Sequence, residues 1–244
     1  MSAKSSRFNA PENSLVCIVD DDEFIRRSLA RLLRSVRVPA ETFDSAQAYL
    51  DRAEHAGPCC LVLDVQMPEL DGLELQHALP NREVEIVFVT GHGSVSMCAG
   101  AMKAGAVDFL TKPVDEEELL GAVGRALARS VEVRKAGVAR AAARARLDTL
   151  TPREFEVLQC VIAGLLNKQI ADDLGAAEKT IKIHRGRVME KMGVESVPDL
   201  VRVAQVAGVA PVGAARNQDF TSARSRTLAV TLIPAPRLPR SDPR

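Results

Sequence analysis

The feature that most limits what this chain can fold into is an alternation over residues 14–125, where a short apolar run is succeeded each time by a longer stretch with helical spacing. The runs are Leu15–Val19, Pro39–Phe43, Cys59–Leu63, Val84–Val89 and Val107–Leu110, each read as a strand. Between them, Phe24, Leu29, Leu32 and Leu33 lie near a three- to four-residue spacing, as do Leu73, Leu75 and Leu79, and then Leu119, Leu120, Val123 and Leu127. Such stripes mark amphipathic helices that cover a sheet. Strands separated by covering helices pair in parallel, so the expected architecture is a doubly wound α/β domain with five parallel strands.

The polar residues at the end of each run carry chemistry. Val19 leads into Asp20-Asp21-Asp22, Leu63 into Asp64, Val89 into Thr90, and the last run into Thr111-Lys112-Pro113. In an open parallel sheet, ligands sit beyond the carboxyl ends of the strands at the switch point, so these groups converge there. Asp20, Asp21 and Asp64 crowded together repel one another and call for a cation. An all-oxygen donor set of that kind suits Mg²⁺, which keeps several waters and bridges carboxylates to a phosphate. An aspartate can attack phosphorus and hold the group as an acyl phosphate, with Asp64 the candidate. The hydroxyl of Thr90 and the ammonium of Lys112 would then bind its oxygens. Asp22 reads as a helix cap, and His92 as a loop histidine without a metal-ligand partner.

The formal charge of the 244 residues is zero, but it is distributed unevenly. Residues 14–125 carry −9, residues 126–148 and 208–244 carry +4 each, residues 1–13 carry +1, and residues 149–207 are neutral. The acidic portion is a poor nucleic-acid binder, and such asymmetry points to parts with different partners. Residues 128–148, rich in Ala and Arg with Gly137 as the weak point, read as an exposed, partly helical linker. Thr151-Pro152-Arg153-Glu154 is a capping-box start for a second, all-helical domain over 149–209. Residues 1–13 are expected to be flexible and 210–244 disordered. No apolar stretch is long enough to span a membrane, and five cysteines without a CxxC pair suggest reduced thiols in a cytoplasm.

Within the second domain Lys179, Lys182, Arg185, Arg187 and Lys191 face only Glu190 over thirteen residues. Ile181, Val188 and Met192 form a stripe that packs, leaving Lys182, Arg185 and Arg187 off it. Asn167–Leu174, the turn at Gly175 and Glu178–Met192 have the lengths of a helix-turn-helix, whose second helix enters the DNA major groove.

The motifs VDDDE, LVLDVQMPELDG, VFVTGHG and DFLTKP resemble the receiver domain of two-component response regulators over about residues 14–127. The resemblance implies a flavodoxin-like fold with Asp64 as the phosphorylated residue. It also implies Mg²⁺ bound by Asp20, Asp21, Asp64 and the carbonyl of Gln66, a Thr90–Phe109 switch pair, Lys112 as the phosphate-pairing lysine, and a cis Lys112–Pro113 bond. From Leu150 to Ala204, LTPREFEVLQCVIAGLLNKQIADDLGAAEKTIKIHRGRVMEKMGVESVPDLVRVA resembles the LuxR-type helix-turn-helix. Together the two are similar to the NarL/FixJ class, nearest its FixJ-like branch. That likeness implies that Lys179, Thr180, Lys182, Arg185 and Arg187 face DNA, and that Lys168, His184 and Lys191 contact or approach its backbone. It makes Glu154 a structural cap and helix 196–206 the pairing surface of two DNA-binding domains. Two positions depart from the pattern: Ala177 stands where Ser commonly caps the recognition helix, and Arg187 where Asn is common.

The expected function is a transcription regulator, with a sensor histidine kinase and double-stranded DNA as partners, a homodimer when phosphorylated, and RNA polymerase as a further contact. Beyond its own phosphoryl transfer and autodephosphorylation the chain is not expected to be an enzyme. The rival readings are a phosphorelay or sequestration module acting through protein contacts and, behind it, a phosphatase using the acidic pocket.

Overall fold

The computed structural model describes residues 8–79, 84–91 and 93–212, so His92 and most of the expected disordered tail lie outside it. The chain divides into two compact units between Val138 and Ala139. The first contains β1 (Leu15–Val19), α1 (Glu23–Ser35), β2 (Ala40–Phe43), α2 (Ala46–Leu50), β3 (Cys59–Leu63), α3 (Gly72–Ala78), β4 (Val84–Thr90), α4 (Val95–Lys103) and β5 (Asp108–Thr111). It ends within α5 (Glu116–Leu147). The second unit holds the end of α5, then α6 (Pro152–Ile162), α7 (Asn167–Leu174), α8 (Glu178–Met192) and α9 (Val197–Val206).

All five strands pair in parallel in the order β2-β1-β3-β4-β5. The order reverses between β1 and β3, and that reversal is the switch point at which a doubly wound sheet opens a crevice. Both central strands are buried along their whole length, which is why they read as unbroken apolar runs and not as alternation. One face packs Val16, Ile18, Cys60 and Val62 against Leu29 and Leu33 of α1 and Leu119, Val123 and Leu127 of α5. The other packs Cys17, Val19, Leu61, Leu63 and Phe88 against Tyr49 of α2, Leu75 of α3 and Ala101 of α4.

Observed boundaries differ from the expected ones at strand ends. β2 starts at Ala40, β4 runs through Thr90, and β5 is shifted to Asp108–Thr111. Proline has no N–H for a ladder, which explains the loss of Pro39. Stretch 128–148, expected to be a partly helical and exposed linker, is instead helical as far as Leu147, straight through Gly137. Ala143 and Leu147 are buried in the core of the second unit, so tertiary packing overrides the weak propensity of that glycine.

In the second unit Ile181, Val188 and Met192 are fully buried together with Val157, Leu158, Ile170 and Leu200. Thr151 and Glu154 make the expected capping box, Gly175 ends α7 at φ 61°, and Ser196 caps α9. Among the described residues no helix is long and apolar enough to cross a membrane.

Candidate phosphoacceptor pocket and nucleic-acid interface

The parallel register places Val19 beside Leu63, so the next residue of each strand, Asp20 and Asp64, emerge as neighbours at the switch point. Their loops are tied down: Asp64 N–H donates to the Val19 carbonyl at 2.9 Å. Asp20 and Asp64 are buried, whereas Asp21 is exposed at the rim. One oxygen from each of the three lies within 4.8 Å of the others. Three carboxylates at that spacing, two of them desolvated, form a hard oxygen donor set that fits a small divalent cation.

Lys112 enters from the end of β5. Thr90 and Thr111 are paired in the register, and Lys112 N–H donates to the Thr90 carbonyl at 2.8 Å. Its Nζ donates to Oδ2 of Asp20 and to Oδ2 of Asp64, each at 2.7 Å. Burial pushes the Lys112 ammonium toward its neutral form, but the two carboxylates outweigh this and hold its pKa above the ordinary lysine value. Burial raises the Asp20 carboxyl above its ordinary value against the opposing pull of Lys112 and the Asp22 N–H. Among the described residues Lys112 is the cation ion-paired to Asp20 and Asp64, against the three carboxylates of the cluster.

Thr90 is fully buried. Phe109 is half-buried and lies tilted against Phe88, with ring centroids 5.9 Å apart. Gly93 meets the same ring, since a Cβ there would sit 2.7 Å from Phe109 Cε1 and 3.3 Å from Thr90 Cγ2. Thr90 and Phe109 therefore border a single space. Gln66 is exposed on the loop after β3, where its N–H donates to Asp64 Oδ1 at 3.2 Å. Asp22 caps α1 by accepting from the N–H groups of Phe24 and Ile25, and the Lys112–Pro113 bond is cis.

Sequence reasoning missed three residues that shape this pocket. Arg26 donates from Nη1 to the carbonyls of Asp20 and Asp21, at 2.7 and 3.0 Å, and so fixes the loop that presents them. Gly72 opens α3 directly against the Asp64 backbone, and Gly93 makes room for Phe109. The glycines stood in plain view, but only three-dimensional proximity shows what a side chain there would strike.

In the second unit Lys168, Lys179, Thr180, Lys182 and Arg187 are exposed. None of these four cations forms an ion pair among the described residues. Arg185 is half-buried and donates to Asn167 Oδ1 at 3.0 Å, which ties α8 to the start of α7. The ammonium of Lys191 is committed inside the domain, to Glu154 Oε2 at 2.6 Å and the Thr149 carbonyl at 3.0 Å. That bond, with the Thr151 N–H, holds the Glu154 carboxyl down at about 2. The Lys191 charge thus helps complete the α6 cap, while its side chain stays 34% exposed. His184 is half-buried with Nδ1 unpartnered among the described residues.

Comparison with known proteins agrees with both units. Residues 16–124 match the family model of the response regulator receiver domain, and residues 148–204 match that of the bacterial regulatory proteins of the luxR family. Nodulation protein W of Bradyrhizobium diazoefficiens is 44% identical over 202 residues, covering 82% of this chain and 89% of that protein. Transcriptional regulatory protein FixJ of Azorhizobium caulinodans is 43% identical over 203 residues, covering 82% and 96%. The solved structure of the response regulator StyR superposes with a TM-score of 0.67 at 42% identity, over 79% of this chain and 98% of that one. With a carboxylate pocket at the switch point of one unit and a basic helix-turn-helix in the other, the chain belongs to the response regulators of the FixJ class, a receiver domain joined to a LuxR-type DNA-binding domain.

Proposed function

We propose that this response regulator is switched by transfer of a phosphoryl group from the phosphohistidine of a sensor kinase to Asp64, and that the switched form dimerises on DNA to control transcription. The observation that carries this reading is the double contact of Lys112 Nζ, 2.7 Å from both Asp20 and Asp64. Asp64 Oδ attacks phosphorus as the P–N bond to the kinase histidine breaks, leaving an acyl phosphate. Asp20, Asp21, Asp64 and the Gln66 carbonyl would hold Mg²⁺, which when bound neutralises the carboxylates and the oxygens of the transferred group.

The new oxygens would compete for the Lys112 ammonium, and the Thr90 hydroxyl would bind another. A switch needs unequal interaction energy with two arrangements, and exchanging the Lys112–Asp64 pair for a phosphoryl contact supplies it. Movement of Thr90 frees the space it shares with Phe109 and Gly93, which carries the change to the outer face of β5. The chain has no enzymatic role in this scheme beyond forming and hydrolysing its own acyl phosphate, and it acts in the cytoplasm.

Exposed Lys179, Thr180, Lys182 and Arg187 on α8 would meet the major groove, with Lys168 on the backbone and Arg185 bracing the two helices. Arg187 suits guanine or phosphate better than adenine. Pairing through α9 gives two-site avidity.

The test is selection of binding sites from random DNA with and without acetyl phosphate and Mg²⁺, using the native chain and Asp64→Asn. Labelling and phosphodonor-dependent enrichment in the native chain alone support the reading. Equal enrichment without donor removes the gating, and DNA affinity that does not fall steeply with salt removes the DNA role.

A further inference from the structure

Two sulfur atoms lie in the receiver core, apart from the phosphoacceptor pocket. Cys17 of β1 and Cys59, the first residue of β3, face the same side of the sheet with Sγ atoms 3.9 Å apart. The register sets Cys17 beside Leu61 and Cys59 beside Leu15, so the two are diagonal neighbours. Cys60, the next residue, faces the opposite core.

Their surroundings are unlike those of an inert core thiol. Arg52, just past the end of α2, stacks its guanidinium 4.6 Å over the Tyr49 ring and donates from Nη2 to the Tyr49 hydroxyl at 3.1 Å. Its Nε has no hydrogen-bond partner among the described residues. Either thiol can donate across the S···S contact; that contact lowers the Cys59 thiol against the effect of burial, and the Arg52 charge works the same way. The same contact and burial push Cys17 up. The pair therefore places two sulfurs in direct contact within the field of the Arg52 charge, the arrangement that attack and resolution require.

We propose that Cys17 and Cys59 form a two-electron redox site, closed to an intrachain disulfide by hydrogen peroxide and reopened by a thiol reductant. In the first step the Cys59 thiolate attacks a peroxide oxygen, the O–O bond breaks, and sulfenic acid and hydroxide form. In the second the Cys17 sulfur attacks the sulfenic sulfur, its proton leaves with the hydroxyl as water, and the S–S bond forms. Two thiols and one peroxide give one disulfide and two waters. Access is through local opening of α2, a five-residue helix, and the segment after it.

The bridge has a mechanical consequence. A disulfide needs its sulfurs at about 2.05 Å, so they must approach by roughly half their present separation. β1 and β3 are already paired, so closing a diagonal bridge pulls them along their length and not across the sheet, and the same two strands lead into Asp20 and Asp64. Closing the bridge shifts the two carboxylates relative to each other and slows acyl phosphate formation. This consequence rests on the function proposed for Asp64, whereas the sulfur chemistry does not.

The experiment treats the full chain carrying Cys98→Ser, which removes the half-buried thiol of α4, with hydrogen peroxide. Free thiols are then blocked under denaturing conditions and the digest is mapped by mass spectrometry. The expected result is a linked peptide containing Cys17 and Cys59, lighter by two hydrogens and abolished by reductant, with labelling by acetyl phosphate falling several-fold and recovering on reduction. Cys17→Ala would leave Cys59 trapped as a sulfenic acid reactive toward dimedone. Recovery of Cys17 and Cys59 as blocked thiols overturns the site. A mapped bridge with unchanged labelling overturns the coupling, and a reduced protein that never labels overturns the Asp64 reading while the mapped peptide still decides the sulfur site.

Discussion

Gly72 lies so close to Asp64 that a Cβ on it would come within 2.2 Å of the Asp64 carbonyl oxygen. Its N–H also donates to the Val65 carbonyl at 2.9 Å, so the first turn of α3 is clamped to the loop that presents the candidate phosphoacceptor. No flexible side chain stands at the point of contact to give way.

Gly72→Ala is accordingly expected to displace the Asp64 loop and destabilise the receiver by about 1–3 kcal/mol, the range of overpacking changes. Urea titration would check the loss, and acetyl phosphate labelling would fall with it. A variant as stable and as readily labelled as the native chain would contradict the clamp.

Lys112→Ala removes the cation that, among the described residues, pairs with both Asp20 and Asp64. The uncompensated carboxylates should lower the melting temperature in metal-free buffer. Millimolar Mg²⁺ should restore more stability to the variant than to the native chain, because binding to the folded state alone is stabilising. Melting curves with and without Mg²⁺ decide this; an equal Mg²⁺ response in both would show that Lys112 does not balance the pocket charge.

The Glu154–Lys191 pair gives the second unit a pH dependence of defined sign. The Lys191 bond and the Thr151 N–H hold the Glu154 carboxyl at about 2, below its ordinary 4.5. A carboxyl depressed in the folded state contributes stability that is complete above its unfolded value and is lost as pH falls through the folded one. Denaturation of the second unit should therefore become easier between about pH 4.5 and 2. Glu154→Gln should flatten that slope, and a slope unchanged in the variant would assign it to other carboxylates.

Ala177 caps α8 with extended backbone angles but no side-chain hydrogen bond. Ala177→Ser supplies an acceptor for the first-turn N–H groups and should stabilise the helical unit by about 1 kcal/mol. Denaturant titration would detect the gain as a higher midpoint at unchanged slope, and an unshifted midpoint would show that solvent already satisfies those groups.

Much of the pocket was legible because each strand is a short apolar run that ends in the residue doing the chemistry. β1, β3, α7 and α8 appear at the boundaries their sequences imply, and Asp20, Asp21, Asp64, Thr90 and Lys112 converge where a parallel sheet must bring them. The short helices α2 and α4 were not legible, since five and nine residues, the latter rich in small side chains, leave little periodicity to read. The end of α5 departs for the opposite reason: Gly137 was the weak point of a stretch expected to be only partly helical, and burial of Ala143 and Leu147 prevailed.

The pattern of hydrophobic runs and their polar ends determined by itself the parallel sheet, the acidic pocket and the basic second helix, because those depend on periodicity along the chain. Tertiary structure alone decided which cations are spoken for, with Lys191 held by Glu154, Arg185 by Asn167 and Lys112 shared between two aspartates. It alone set Gly72 against Asp64 and Cys17 beside Cys59. Contacts between residues far apart in the chain depend on how helices and strands pack, and no local spacing encodes that distance.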